Sequence, residues 1–165
     1  MIMQQTAQTQ GWHVANWGFW GWLETAVKFI GIVAGWIAFA GALSAPGFMF
    51  RSNPRLAAVI VLALLTLPTL AVPFVRIGQR EVISVIYALF NLTGHLAMLF
   101  ALLRTPEQRG LAILFGVCYV IGELVKQRFL SLTGYTEGGA NPGMMLNVSR
   151  GLMAFYILFV ILQIL

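Results

Sequence analysis

SVIYALFNLTGHLAML, residues 84–99, decides the fold. The stretch holds no charged residue, yet Ser84, Tyr87, Asn91 and His95 recur in it at steps of three and four. Steps of that size fall on one face of a helix. The apolar run around it extends from Val82 to Leu103, close to the ~20 residues that carry a helix through ~30 Å of hydrocarbon. The reading is a transmembrane helix with a polar stripe.

The rest of the chain agrees. Of 165 residues, 59% are hydrophobic and only 9% are charged, more apolar surface than a soluble domain of this size can hide. Four further runs stand beside the first: Trp17–Leu43, Arg55–Val75, Gly110–Leu132 and Val148–Leu165. The expectation is an all-α integral membrane protein, a single domain over 1–165. It is a bundle of about five transmembrane helices, or four if the first or last segment lies in the interface. Breaks rich in Pro, Gly and Arg separate the runs. The longest loop is 133–147, with a lid or docking surface set against a plain connection. Pro68 and Pro73 are expected to bend the second helix, which shapes the bundle or opens a cavity.

Charge and composition exclude several classes. The net charge of +5 is spread over the ends of apolar runs, as at lipid headgroups. No basic cluster with interleaved aromatics exists, so the partners expected are the bilayer and other membrane helices, not nucleic acid. Cys118 is alone, which excludes an intrachain disulfide and a C-x-x-C pair. There is no Asp, and His95, Glu123 and Cys118 are too few and ill-spaced for a metal site. The first 16 residues hold no Lys or Arg, unlike a signal peptide. Trp12, Trp17, Trp20 and Trp22 mark residues 1–22 as an interfacial segment, an aromatic belt in preference to a ligand cage. Glu24 and Lys28 then form an i,i+4 pair near the interface. Basic residues lean toward the side of the N-terminus, which places that end in the cytoplasm, with a bacterial inner membrane as the expected location.

Three helices carry a marked face. The first has Glu24, Lys28, Gly31, Gly35, Ala38 and Ala42; the third has Ser84, Tyr87, Asn91, Gly94, His95 and Met98; the fourth has Ala112, Gly116, Tyr119, Glu123, Lys126 and Gln127. Gly31 and Gly35 form a GxxxG spacing that lets helices approach closely. The expected architecture buries these three faces together and leaves the second and fifth helices more exposed to lipid. A short loop makes the third and fourth helices antiparallel neighbours. Asn91 and Glu123 then lie at one depth, with His95 a turn away and Lys126 on Glu123's own helix. An unpaired carboxylate in mid-membrane costs roughly 2.5–3.5 kcal/mol or more, so Glu123 must be neutralised or paired.

The intramembrane cluster of Tyr87, Asn91, His95, Tyr119, Glu123 and Lys126 is therefore either a helix clamp or a ligand site. The leading expectation is a non-enzymatic membrane subunit that packs in and stabilises a larger assembly, or associates with itself. The abrupt apolar end of the last run suits burial against a partner. The alternative is a small binding protein or carrier for a quinone, lipid or pigment near Asn91, His95 and Glu123. There His95 would be the one residue able to ligate a haem or pigment, and no cofactor is otherwise named. A third reading, an enzyme using Glu123 and His95 as acid and base, needs both groups at one open pocket.

Overall fold

The computed structural model describes residues 17–46, 55–78, 82–105, 108–134 and 141–165. It consists of five helices: α1 (Gly18–Ser44), α2 (Leu56–Gly78), α3 (Val82–Arg104), α4 (Arg109–Thr133) and α5 (Pro142–Ile164). Each is long and apolar enough to cross a membrane. Their 23 to 27 residues give about 35–40 Å of helix. The chain is an all-α bundle of the integral-membrane type.

Local chemistry sets the helix ends. Ala45 is extended because Pro46 follows it, and α1 stops at Ser44. Gly134 takes a left-handed conformation (φ 60°) and its N–H returns to the Leu130 carbonyl, closing α4. The start of α5 is earlier than the apolar run implies. Asn141 accepts a hydrogen bond from the Gly143 N–H at 2.8 Å, and Pro142 occupies the first turn with its φ already helical. Residues 142–147 of the expected loop are thus helix, and 135–140 lie outside the described residues.

The helices close a ring. α1 packs on α4, α4 on α5, α5 on α2, α2 on α3, and α3 on α1. The expectation that α3 and α4 lie side by side is corrected, because α1 stands between them. Its glycines explain why. A methyl group on Gly31 would meet Cys118 Cβ and the Tyr119 ring of α4 at 3.1 Å. On Gly35 it would lie 2.6 Å from the Gly94 carbonyl oxygen of α3. Small residues let α1 approach both neighbours more closely than α3 and α4 can approach each other. All six residues of the α1 stripe are buried.

Arginine side chains tie the ring at its rims. Arg55 at the start of α2 donates to the carbonyls of Leu162 (3.1 Å) and Gln163 (3.0 Å) at the end of α5. Arg104 of α3 donates to Ala45 past the end of α1 (3.1 Å), and Arg76 of α2 to Ser84 of α3 (3.2 Å). Carbonyls in the last turn have no partner within the helix, so a guanidinium there removes a polar debt from lipid. Arg76 and Arg104, expected among headgroups, are both buried.

Trp17 also differs from expectation. It is buried against Phe129 and Leu130 of α4, with Trp20 and Met145 partly buried beside it. Trp22 is exposed, and Trp12 lies outside the described residues. Residues 18–22 already belong to α1, not to a separate interfacial segment.

Candidate functional site

The ring encloses a charged core. Lys28 of α1 donates to Glu24 Oε1 on its own helix (2.8 Å) and to Glu123 Oε1 of α4 (2.6 Å). Ser149 of α5 donates to the other Glu123 oxygen at 2.7 Å. Glu24, Lys28, Glu123 and Ser149 are each at most 5% exposed. One ammonium thus holds two carboxylates, and the set staples three helices. Local sequence makes room for it. A methyl group on Gly122 would fall 2.6 Å from Lys28 Cγ, so the lysine stem lies where any larger residue would stand.

The pairing differs from the one expected. Glu123 bonds to neither Asn91 nor His95. Tyr119 donates to Asn91 Oδ1 instead, and so bridges α4 and α3. Lys126, half-buried, lies near Glu123 without an ion pair to it.

His95 lies one layer deeper and is fully buried. Its Nδ1 is 2.8 Å from the Asn91 carbonyl and its Nε2 is 2.6 Å from the Tyr156 hydroxyl. A carbonyl only accepts, so Nδ1 carries a hydrogen; in the neutral ring Nε2 accepts from Tyr156. Both nitrogens are committed, which leaves none for a haem or pigment. The Tyr119 ring stacks on Tyr156 (4.8 Å, 19°), and His95 presents its ring to Tyr119 and Phe115 at 4.6 and 5.1 Å. These rings form an aromatic layer across the bundle. Beyond it the core is apolar, with Ile32, Leu62, Met98 and Phe159 among its fully buried members.

Above the layer lies a cavity of about 70 Å³. Glu24, Lys28, Tyr87, Asn91, Tyr119, Glu123 and Lys126 border it, with Tyr156 at its floor and Pro68, Thr69 and Arg76 of α2 on the remaining wall. Five of the six cluster residues expected from the sequence, Tyr87, Asn91, Tyr119, Glu123 and Lys126, therefore meet at one cavity. His95 does not line it. Since Glu123 and His95 have separate partners, they do not form an acid–base pair at one pocket. Among the described residues no group of three or more His, Cys, Asp or Glu stands together as a metal site would need.

Ser149, Tyr156 and Arg76 were missed. Two of them were legible: Ser149, Tyr156 and Gln163 repeat every seven residues on α5, and all three are buried. Lys28 was legible by depth. It lies ten residues from the start of α1, and Glu123 ten residues from the end of α4 on the same side of the bundle. No known protein family, curated protein or solved structure gives a match to the chain.

Proposed function

We propose that this chain is a non-enzymatic integral-membrane subunit that packs in a larger membrane assembly and stabilises it. The observation that carries the reading is the state of α5. Only four of its 23 residues are buried, against eight to ten on each of the other helices. Its outward face presents Gly151 and Ala154, with open space above Gly151. Small residues on a lipid-facing surface allow another helix to approach closely. The charged core supports the same reading, since its ion pairs join helices and make a rigid body. A bacterial inner membrane suits the proposal. With Lys28 set aside because it is buried in the charged core, five basic residues on the side where α1 begins against four on the other support a cytoplasmic N-terminus.

The experiment is extraction from native membranes in mild detergent, followed by native mass spectrometry and a visible spectrum. Co-purifying polypeptides in fixed stoichiometry, or a fixed homo-oligomer, are the expected result. A monodisperse monomer under the mildest conditions would overturn the reading.

A binder of a lipophilic ligand remains the second reading, in a different place. A cavity of about 70 Å³ is far below the ~300–1,000 Å³ that organic ligands occupy. A flank groove between α1 and α3 has about 310 Å³ and is walled by Trp36, Phe39, Thr93, Leu96, Ala97 and Phe100. Apart from the Thr93 hydroxyl and the Trp36 indole N–H, these side chains offer a lipid-like ligand only apolar contact. Leu96→Trp fills the groove, so a bound small molecule should disappear from the native mass spectrum of that variant. Its persistence there would sink this second reading.

A further inference from the structure

We propose that the cavity above the aromatic layer holds a small cluster of bound water, reached from the side of the membrane where α1 begins, and that this water hydrates the charged core from that side alone. Its presence does not depend on the assembly proposed above.

Size sets the class of occupant. One water needs about 10–15 Å³ of such a cavity and takes about 30 Å³ in the liquid, so about 70 Å³ has room for roughly two to five waters and for no organic molecule.

Hydrogen-bonding capacity decides between water and an ion. The cavity wall leaves donors and acceptors unused side by side. The Tyr87 hydroxyl is buried without a partner among the described residues, and Lys126 has no ion pair or hydrogen bond there. Glu24 offers its second oxygen, since Lys28 takes Oε1. Pro73 has no N–H, so α2 leaves the Thr69 carbonyl without its usual donor. An ammonium only donates, a carboxylate and a carbonyl only accept, and a hydroxyl does both. An anion would answer the donors and strand the acceptors; a cation would do the reverse. Charges of both signs also line the wall, Lys28, Arg76 and Lys126 with Glu24 and Glu123, so an ion of either sign meets like charge. Water carries no charge, donates as well as accepts, and makes two to four bonds when buried. It fits every unused group at once.

Position gives the water a task. Pro68, Thr69 and Arg76 of α2 form the wall opposite the charged core. Among the described residues no α2 side chain bonds to Glu24, Lys28 or Glu123, whose partners lie on α1, α4 and α5. Water between them joins α2 to the core. Arg76 lies two residues from the end of α2, Lys126 seven from the end of α4, and Lys28 ten from the start of α1. At ~1.5 Å per residue the wet groups run from about 3 to about 15 Å below one rim. Past Lys28 the stacked Tyr119 and Tyr156 rings and the buried Phe115 close the path.

The test is X-ray hydroxyl-radical footprinting of the full chain in lipid nanodiscs, read residue by residue by peptide mass spectrometry. Tyr119 borders the cavity and Phe159 lies beyond the aromatic layer, yet they are alike in burial, 1% and 0% exposed. Entry of radicals from outside would oxidise both rings slowly. Water bound beside Tyr119 generates radicals in place, so Tyr119 should be oxidised about tenfold faster than Phe159 or more. Tyr87→Phe gives an independent sign. A hydroxyl bonded to water contributes to stability, whereas a buried hydroxyl with no partner detracts from it. The variant should therefore unfold at a lower SDS fraction than wild type. Equal, slow oxidation of Tyr119 and Phe159 overturns the proposal, as does a Tyr87→Phe chain at least as stable as wild type. Protection of Tyr119 by sodium or by chloride at constant ionic strength would put an ion in the place of water and overturn it too.

Discussion

Lys28 is the residue on which the core turns. An ammonium buried in an apolar bundle is tolerable because two carboxylates face it, and each carboxylate because the ammonium is there. Removing the lysine alone leaves two buried like charges. Lys28→Met should therefore cost about 3–5 kcal/mol of stability. The triple variant Glu24→Gln, Lys28→Met, Glu123→Gln leaves no ion unpaired and should recover most of that loss. Unfolding in mixed detergent–SDS micelles measures both, and equal stability of Lys28→Met and wild type would show that the ion pairs do not hold the bundle. Tyr156→Phe tests the next layer. It strips the partner from His95 Nε2, a buried acceptor, and should cost about 1–3 kcal/mol in the same assay. At this scale the sequence showed which groups are buried better than whom they meet. The stripes of α1, α3 and α4 are legible from spacing alone. That Asn91 serves Tyr119 and not Glu123 depends on rotamers and on a third helix, neither of which spacing encodes.

Among elements, α1 is the one that sets the topology. A short loop between α3 and α4 makes them neighbours in sequence, yet the ring places α1 between them. The smaller face wins because dispersion between helices in lipid grows with closeness of approach. The prediction is sharp at Gly35. A Cβ there would fall 2.6 Å from the Gly94 carbonyl oxygen, which is backbone and cannot rotate away. Gly35→Ala should then force α1 and α3 apart and cost about 1–3 kcal/mol by the same unfolding measurement. Wild-type stability of Gly35→Ala would mean that the two helices are not in such close contact. Element boundaries were legible except at α5, where the apolar run starts at Val148 and the helix at Pro142. The signal was present as Asn141-Pro142-Gly143, a capping residue followed by proline. It was masked because glycines just before it read as loop.

For the whole molecule, the decisive property is an asymmetry between inside and outside. Inside, small residues and ion pairs are consumed by the chain's own contacts: Gly31 and Gly35 face α4 and α3, and the charged core is shared by α1, α4 and α5. The GxxxG face is therefore not free for a partner. Outside, α5 exposes Gly151 and Ala154, and it is also the helix least buried. The inward side of α5 is different, because it carries a polar group that the outer face does not show. The Gln163 side chain is fully buried, and its amide has no hydrogen-bond partner among the described residues, which is costly in an apolar medium. If the assembly reading is right, bulk added at Gly151 should act on association alone. A methyl group there meets nothing within 4 Å, so Gly151→Trp fits the isolated chain without strain. The variant should keep wild-type unfolding stability yet lose its co-purifying polypeptides, or its own oligomer, in native mass spectrometry. Retention of the full assembly in Gly151→Trp would move the interface off α5, whereas loss of stability would show that Gly151 serves the bundle itself.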